Sequence, residues 1–180
     1  DGISAIAGGA ATITIDTAGD VTGGTNGIVT QSNGGPLTVT VGASKDVTAT
    51  NGAGIKVTQA AVAGAGDAKV VIVDDTNVTA DGVADGIVVR NDGTGDAIVL
   101  MSGLAGGTID VDSGLFSSHT GIDASAKDAN SDGTSGSAAV TTNDGRTILV
   151  KGGSFMVGVI TVSEDNGGAE SAAVTLGANN

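Results

Sequence analysis

The chain has no cysteine, tryptophan or tyrosine, a single proline (Pro36), a single histidine (His119) and two phenylalanines, Phe116 and Phe155. Without cysteine there is no disulfide framework, no thiolate metal site and no thiol nucleophile. Without large rings, a core has to be assembled from small branched side chains that pack closely. Cations are scarce as well: seven Lys and Arg stand against twenty Asp and Glu, for a net charge of -13. That balance argues against nucleic acid or an anionic membrane surface as partner, because both are bound through cationic contacts to phosphate. No apolar run approaches the ~18 residues needed to span a bilayer. Residues 1–10 lack the basic start of a signal peptide, so Asp1 is read as the beginning of a mature or trimmed stretch.

Against these absences stand a hydrophobic fraction of 39% and a mean hydropathy of +0.25. Enough Val, Ile, Leu and Ala is present for the chain to fold despite its charge. Its 180 residues suit one domain. Glycine occurs 32 times with no collagen-like period of three, which points to many tight turns.

The chain repeats itself. A Gly-Ile step preceded by a turn residue occurs at Asp1-Gly2-Ile3, Asn26-Gly27-Ile28, Ala53-Gly54-Ile55, Asp85-Gly86-Ile87 and Thr120-Gly121-Ile122, with a looser copy at Asp144-Gly145-Arg146. The glycines are separated by 25, 27, 32, 35 and 24 residues. Upstream of three steps lie Asp20-Val21-Thr22, Asp46-Val47-Thr48 and Asn77-Val78-Thr79, and downstream come alternating runs at 12–15, 37–41, 69–73 and 97–101. Each period thus holds three short strand signals separated by Gly, Asn, Asp and Ser clusters that supply turns.

Three strands and three turns per period suit one rung of a right-handed parallel β-helix, an all-β solenoid of about six rungs stacked at ~4.8 Å. In that arrangement Ile28, Ile55, Ile87 and Ile122 form an inward column. Thr30, Val57, Val89 and Ala124, two residues on, also point inward, because side chains alternate across a strand. Val29, Lys56, Val88, Asp123, Gln31, Thr58, Arg90 and Ser125 face out. The alternative is an antiparallel β-sandwich, in which consecutive strands pair with each other. Here the likeness is between strands one period apart, which favours vertical stacking.

The strings "DVTGGTNGIVTQSNGGPLTVTV" (20–41) and "NVTADGVADGIVVRNDGTGDAIV" (77–99) resemble the degenerate repeats of bacterial autotransporter passenger domains. Residues 1–125 follow the pattern and 126–180 follow it loosely. The resemblance implies a cysteine-poor β-helical stalk displayed at the cell surface or outside the cell, as a segment of a longer passenger. A series of amphipathic strands that would form a translocating barrel is not found in the sequence. The resemblance carries over no catalytic, cofactor-binding or metal-binding residue.

Chemistry-bearing residues are few. His119 lies beside Ser117 and Ser118, and a triad would draw on Asp110, Asp112 or Asp123, but nothing marks a nucleophile elbow. The histidine is read as a loop residue in an insertion preceding Gly121. Asp128, Asn130 and Asp132 before Gly133 have the alternate spacing of a calcium loop, but Ala139 stands where the loop's Glu belongs and no helices flank it. The segment is read as a solvated acidic turn. Thr12, Thr14, Thr38 and Thr40 begin a Thr-x-Thr row of the kind that matches an ice lattice, and Lys69 with Val71, or Val70 with Ile72, ends it. A polysaccharide-active groove is poorly supplied, with no Trp or Tyr for stacking and Arg90 and Arg146 apart in sequence.

Continuous apolar runs at 69–73 and 97–101 predict burial on both faces, with Val70 and Ile72 over Ile98 and Leu100 on the outside. An insertion at 102–120 containing Leu104, Leu115 and Phe116 is expected to cover them. Residues 126–137 form a second expected insertion. The functional expectation is a non-enzymatic, extracellular, adhesin-like scaffold without cofactors whose surface ligand is unidentified. The alternative is a fibre or surface-layer subunit that self-associates through its terminal rungs or its apolar face.

Overall fold

The computed structural model describes residues 1–60, 65–82, 85–103, 106–113, 118–127, 135–152, 155–164 and 171–177. Its elements are all strands and succeed one another in triplets. The first rung holds β1 (Ile3–Ala7), β2 (Ile13–Thr17) and β3 (Val21–Gly23); the second holds β4 (Ile28–Ser32), β5 (Leu37–Val41) and β6 (Asp46–Ala49). The third comprises β7 (Ile55–Gln59), β8 (Ala68–Val73) and β9 (Asn77–Gly82), and the fourth β10 (Ile87–Asn91), β11 (Ala97–Ser102) and β12 (Gly107–Ser113). In the fifth are β13 (Ser118–Lys127), β14 (Ala138–Thr141) and β15 (Arg146–Lys151), and in the sixth β16 (Phe155–Glu164) and β17 (Ala172–Thr175).

Strands pair with their counterparts one rung away, never with their neighbours along the chain. The first sheet runs β1-β4-β7-β10-β13-β16, the second β2-β5-β8-β11-β14-β17 and the third β3-β6-β9-β12-β15. The pairings are parallel, which excludes the sandwich and makes the chain a parallel β-helix of about six rungs. The register carries the isoleucine column: Ile3 pairs with Ile28, Ile28 with Ile55, Ile55 with Ile87 and Ile87 with Ile122. From Ile28 to Ile122 these side chains have no solvent exposure, and each is worth ~1.5–3 kcal/mol of burial. Val47, Val78 and Ile109 face them from the third sheet, and Val39, Val70, Val99 and Val140 from the second.

Polar side chains tie the rungs together at all three corners. Asp1 Oδ1 accepts from the Asn26 amide one rung on, Asn26 Oδ1 from Ala53 N at 2.9 Å, and Asp85 Oδ1 from Thr120 N at 2.7 Å. At the second corner Asp67 Oδ1 accepts from Asp96 N and Asp96 Oδ1 from Ser137 N, at 3.0 and 2.8 Å. At the third, Asp20 Oδ1 accepts from Asp46 N and Asn77 Oδ1 from Thr108 N. N–H groups in the turns and at strand starts are thus satisfied, which accounts for the Asp and Asn that recur at the corners.

Several placements differ from the sequence reading. Asp144-Gly145-Arg146 is not the sixth copy of the step: Gly145, with φ 70°, turns the chain into β15 of the third sheet. The copy in the first sheet is Gly158-Val159, with Val159 paired to Ile122. The stretch 102–120 is not an inserted flap, because β12 within it is a ladder strand paired with β9 and β15. Leu104, Leu115 and Phe116 lie outside the described residues. Within 126–137 the first two residues complete β13, and 128–134 lie outside the described residues.

The outward parity expected of the second sheet holds for Ile98 and Leu100 but not for Val70 and Ile72. Val70 and Ile72 point in and pair with Val99 and Met101, whereas Ile98 and Leu100 lie on the outer face over Lys69 and Val71. Two residues assigned outward, Val88 and Ser125, are buried, at 5% and 3% exposure. Both lie on the outer side of the first sheet, where the surface is hollowed rather than flat.

Candidate functional site

The outer face of the first sheet is built from two columns in register. One runs Val29, Lys56, Val88, Asp123 and Ile160, and the other Gln31, Thr58, Arg90, Ser125 and Val162. Strand alternation brings three of the chain's seven cationic side chains, Lys56, Arg90 and Lys127, to this one face. Sequence reasoning placed Lys56 and Arg90 outward but did not join Lys127 to them, because it lies beyond the last residue that β13 pairs with β10.

Two open concavities meet at Arg90. The first, of about 290 Å³, is lined by Arg90, Asp92, Asp123, Ser125, Lys127 and the two aliphatic residues Ile160 and Val162. It exists because β10 ends at Asn91 while β13 continues to Lys127, so the chain turns away at Asp92 and leaves space below the lysine. The second, of about 300 Å³, has Val88 in its lining with Lys56 and Arg90, and a wall from corner residues Asn26, Asn51 and Asp85.

Arg90 Nη2 lies 3.4 Å from Asp123 Oδ2, a long contact that leaves most of its N–H donors without protein partners. Lys127 Nζ lies 3.1 Å from Glu164 Oε1. Ser125, 3% exposed as a residue, lines the first concavity beside Arg90.

The residues considered for a triad are not assembled. Asp110 and Asp112 lie on the outer face of the third sheet, where Lys151 Nζ approaches them at 3.2 and 3.5 Å. The hydrogen bond to Asp110 holds the Lys151 ammonium above its ordinary value. Asp123 is on the first sheet with Arg90. His119 is not a loop residue: it is 3% exposed, in β13, and paired with Met156 of the next rung. Its strand placement follows from the length of β13, which starts at Ser118 rather than at the glycine step.

The calcium loop residues Asp128, Asn130 and Asp132 lie outside the described residues. Among those described, no cluster of three or more His, Asp and Glu is arranged to hold a metal ion. The threonine row pairs Thr14 with Thr38 and places Asp16, not a threonine, against Thr40, and Lys69 and Val71 follow in the next rung.

Arg146 is the functional-looking residue that turns out to be internal. It is 1% exposed, donates from Nη1 to Thr76 O at 2.6 Å and from Nη2 to Asp74 O at 2.5 Å, and bonds Asn143 through Nε. Burial lowers its affinity for a proton, and the nearby Asp74 and Asp75 oppose that shift.

Comparison of the chain with protein-family models, with curated proteins and with solved structures finds no match.

Proposed function

We propose that the chain is a stiff, non-enzymatic extracellular scaffold of the adhesin-like kind, resembling a segment of an autotransporter passenger. The observation that carries this reading is the vertical register of three parallel sheets, in which the inward aliphatic columns recur from rung to rung. Such a coil is a rod on the order of 30 Å long whose shape depends on stacking alone. Its low cation content keeps it soluble and discourages nonspecific association.

Expression of the full-length gene in its host, followed by labelling of intact cells with an antibody to this segment, tests the reading. Surface labelling that is lost on external protease treatment supports it. Labelling that appears only after lysis overturns it.

A second reading is a self-assembling subunit, in which the parallel ladders of separate molecules continue into one another through strand edges, which template pairing with another chain. Electron microscopy of the purified chain distinguishes the two: discrete short particles favour the scaffold segment, filaments the subunit.

A further inference from the structure

Inside the coil, the second corner holds a column of polar side chains. Ser32, Gln59 and Asn91 occupy paired positions at the ends of β4, β7 and β10, and none has any solvent exposure. Each reaches back to the turn of the rung before it. Ser32 Oγ donates to Gly9 O, the Gln59 amide donates to Gly35 O and accepts from Gly34 N, and Asn91 Nδ2 donates to Gly66 O. Buried polar groups that are satisfied in this way fix the turn they bond.

The column is broken once. In the fifth rung the paired position is Ala126, fully buried and without a donor, and in the sixth the pattern resumes, with Ser163 Oγ donating to Gly136 O at 3.1 Å. The carbonyl beneath the break is that of Gly95 in the fourth rung. Gly136 packs so closely over it that a Cβ on Gly136 would stand 2.0 Å from the oxygen, and no described side chain donates to it.

We propose that this break makes the junction of the fourth and fifth rungs a hinge, at which the coil gapes along its second corner while its third corner stays closed. The pin is Arg146. From the fifth rung it passes Gly107 of the fourth and bonds the carbonyls of Asp74 and Thr76 in the third, which holds three rungs together at the third corner. At the second corner the junction keeps two bonds, Ser137 N to Asp96 Oδ1 and Ala97 N to Ser137 O. One rung earlier these have counterparts in Asp96 N to Asp67 Oδ1 and Ala68 N to Asp96 O, and Asn91 adds the interior bond that Ala126 cannot make. A covered carbonyl with no donor carries a desolvation cost that opening to water removes, so the second corner opens more readily here than one rung earlier. The hinge follows from the coil itself and does not depend on where the scaffold resides.

Hydrogen exchange of the full chain, read at single amides by NMR and corrected for intrinsic rates, is the test. Ala97 and Ser137 are expected to exchange about tenfold faster than Ala68 and Asp96, their counterparts one rung earlier, while the β12–β15 ladder beside Arg146 exchanges no faster than the β9–β12 ladder. Ala126→Ser places in the break the side chain that Ser163 carries in the same column. It is expected to slow Ala97 and Ser137 about tenfold and to leave Ala68 unchanged. Ala124→Ser, two residues away in β13 and equally buried, adds the same hydroxyl outside the column and is expected not to slow them. Thermal melts show that each variant folds, and the comparison of the two junctions in the unsubstituted chain requires no variant. Equal protection at the two junctions overturns the proposal. Equal loss of protection across the β12–β15 ladder also overturns it, because the rungs then part as a whole. Equal slowing by the two serine substitutions overturns it as well, because the effect then owes nothing to the column.

Discussion

At Gly54 the need for glycine is spatial rather than dihedral. A Cβ there would collide with Val78 Cγ1 and lie 2.8 Å from the Gly86 carbonyl of the next rung. Gly54→Ala is expected to destabilise by about 2 kcal/mol. Gly19→Ala, at a position with nothing within 4 Å, leaves the urea midpoint nearly unchanged. The inward column two residues beyond the isoleucines holds a buried polar side chain, Thr30. Thr30 is 1% exposed and stacked on Val57, and its hydroxyl has no partner. Thr30→Val keeps the shape and removes the orphaned group, so a gain of about 1 kcal/mol is expected in equilibrium unfolding. The inward direction of Thr30 is legible in the sequence, by counting two residues from Ile28. That it lacks a partner is not, because that depends on what surrounds it.

Elements are joined by contacts that span rungs, and the clearest runs through Arg146. Its guanidinium passes the face of Gly107, paired with it in the ladder, and reaches carbonyls of Asp74 and Thr76 at the corner two rungs down. Gly107 has φ 130°, and a Cβ there would collide with Arg146 Nη1. Arg146→Met leaves two buried carbonyls unsatisfied, for an expected loss of about 3 kcal/mol. Gly107→Ala should act on the same unit, so the double variant falls short of the sum of the two in a denaturation cycle.

The same corner holds Asp75, whose carboxyl is kept below its ordinary value mainly by the Ser44 hydroxyl, which donates to Oδ1 at 2.6 Å. A depressed folded value means stability that is present above the ordinary carboxylate range and lost as pH falls through the lowered one. In Ser44→Ala the Asp75 titration followed by NMR moves upward, and the acid limb of the thermal-stability profile becomes shallower. None of this is readable from spacing, since Ser44, Asp75 and Arg146 belong to three different rungs.

Over the whole molecule, stability is a sum of rungs and the contacts between neighbours. Interior rungs are stacked on both sides, whereas β1 and β2 lie on an open end and β17 is exposed along its whole length. Amide hydrogen exchange is therefore expected to be slowest in β7, β8, β10 and β11 and fastest in β1, β2 and β17. Uniform protection along the chain would contradict a stack of separable rungs.

The period of the Gly-Ile step and the two-residue alternation determined the rung, its three strands and the inward columns, because a parallel coil repeats its local chemistry wherever it repeats its geometry. The repeat failed where rungs lengthen. The third-sheet strand β12 passed for an insertion, and Arg146 passed for a copy of the isoleucine step although it begins β15. Side-chain direction in the apolar runs at 69–73 and 97–101 was open to either parity, since both faces are aliphatic. Only the tertiary structure decided these, along with the meeting of Arg90, Ser125 and Lys127. Which side chains share a hollow depends on where each strand stops relative to its neighbour, and a sequence does not record that alignment across rungs of unequal length.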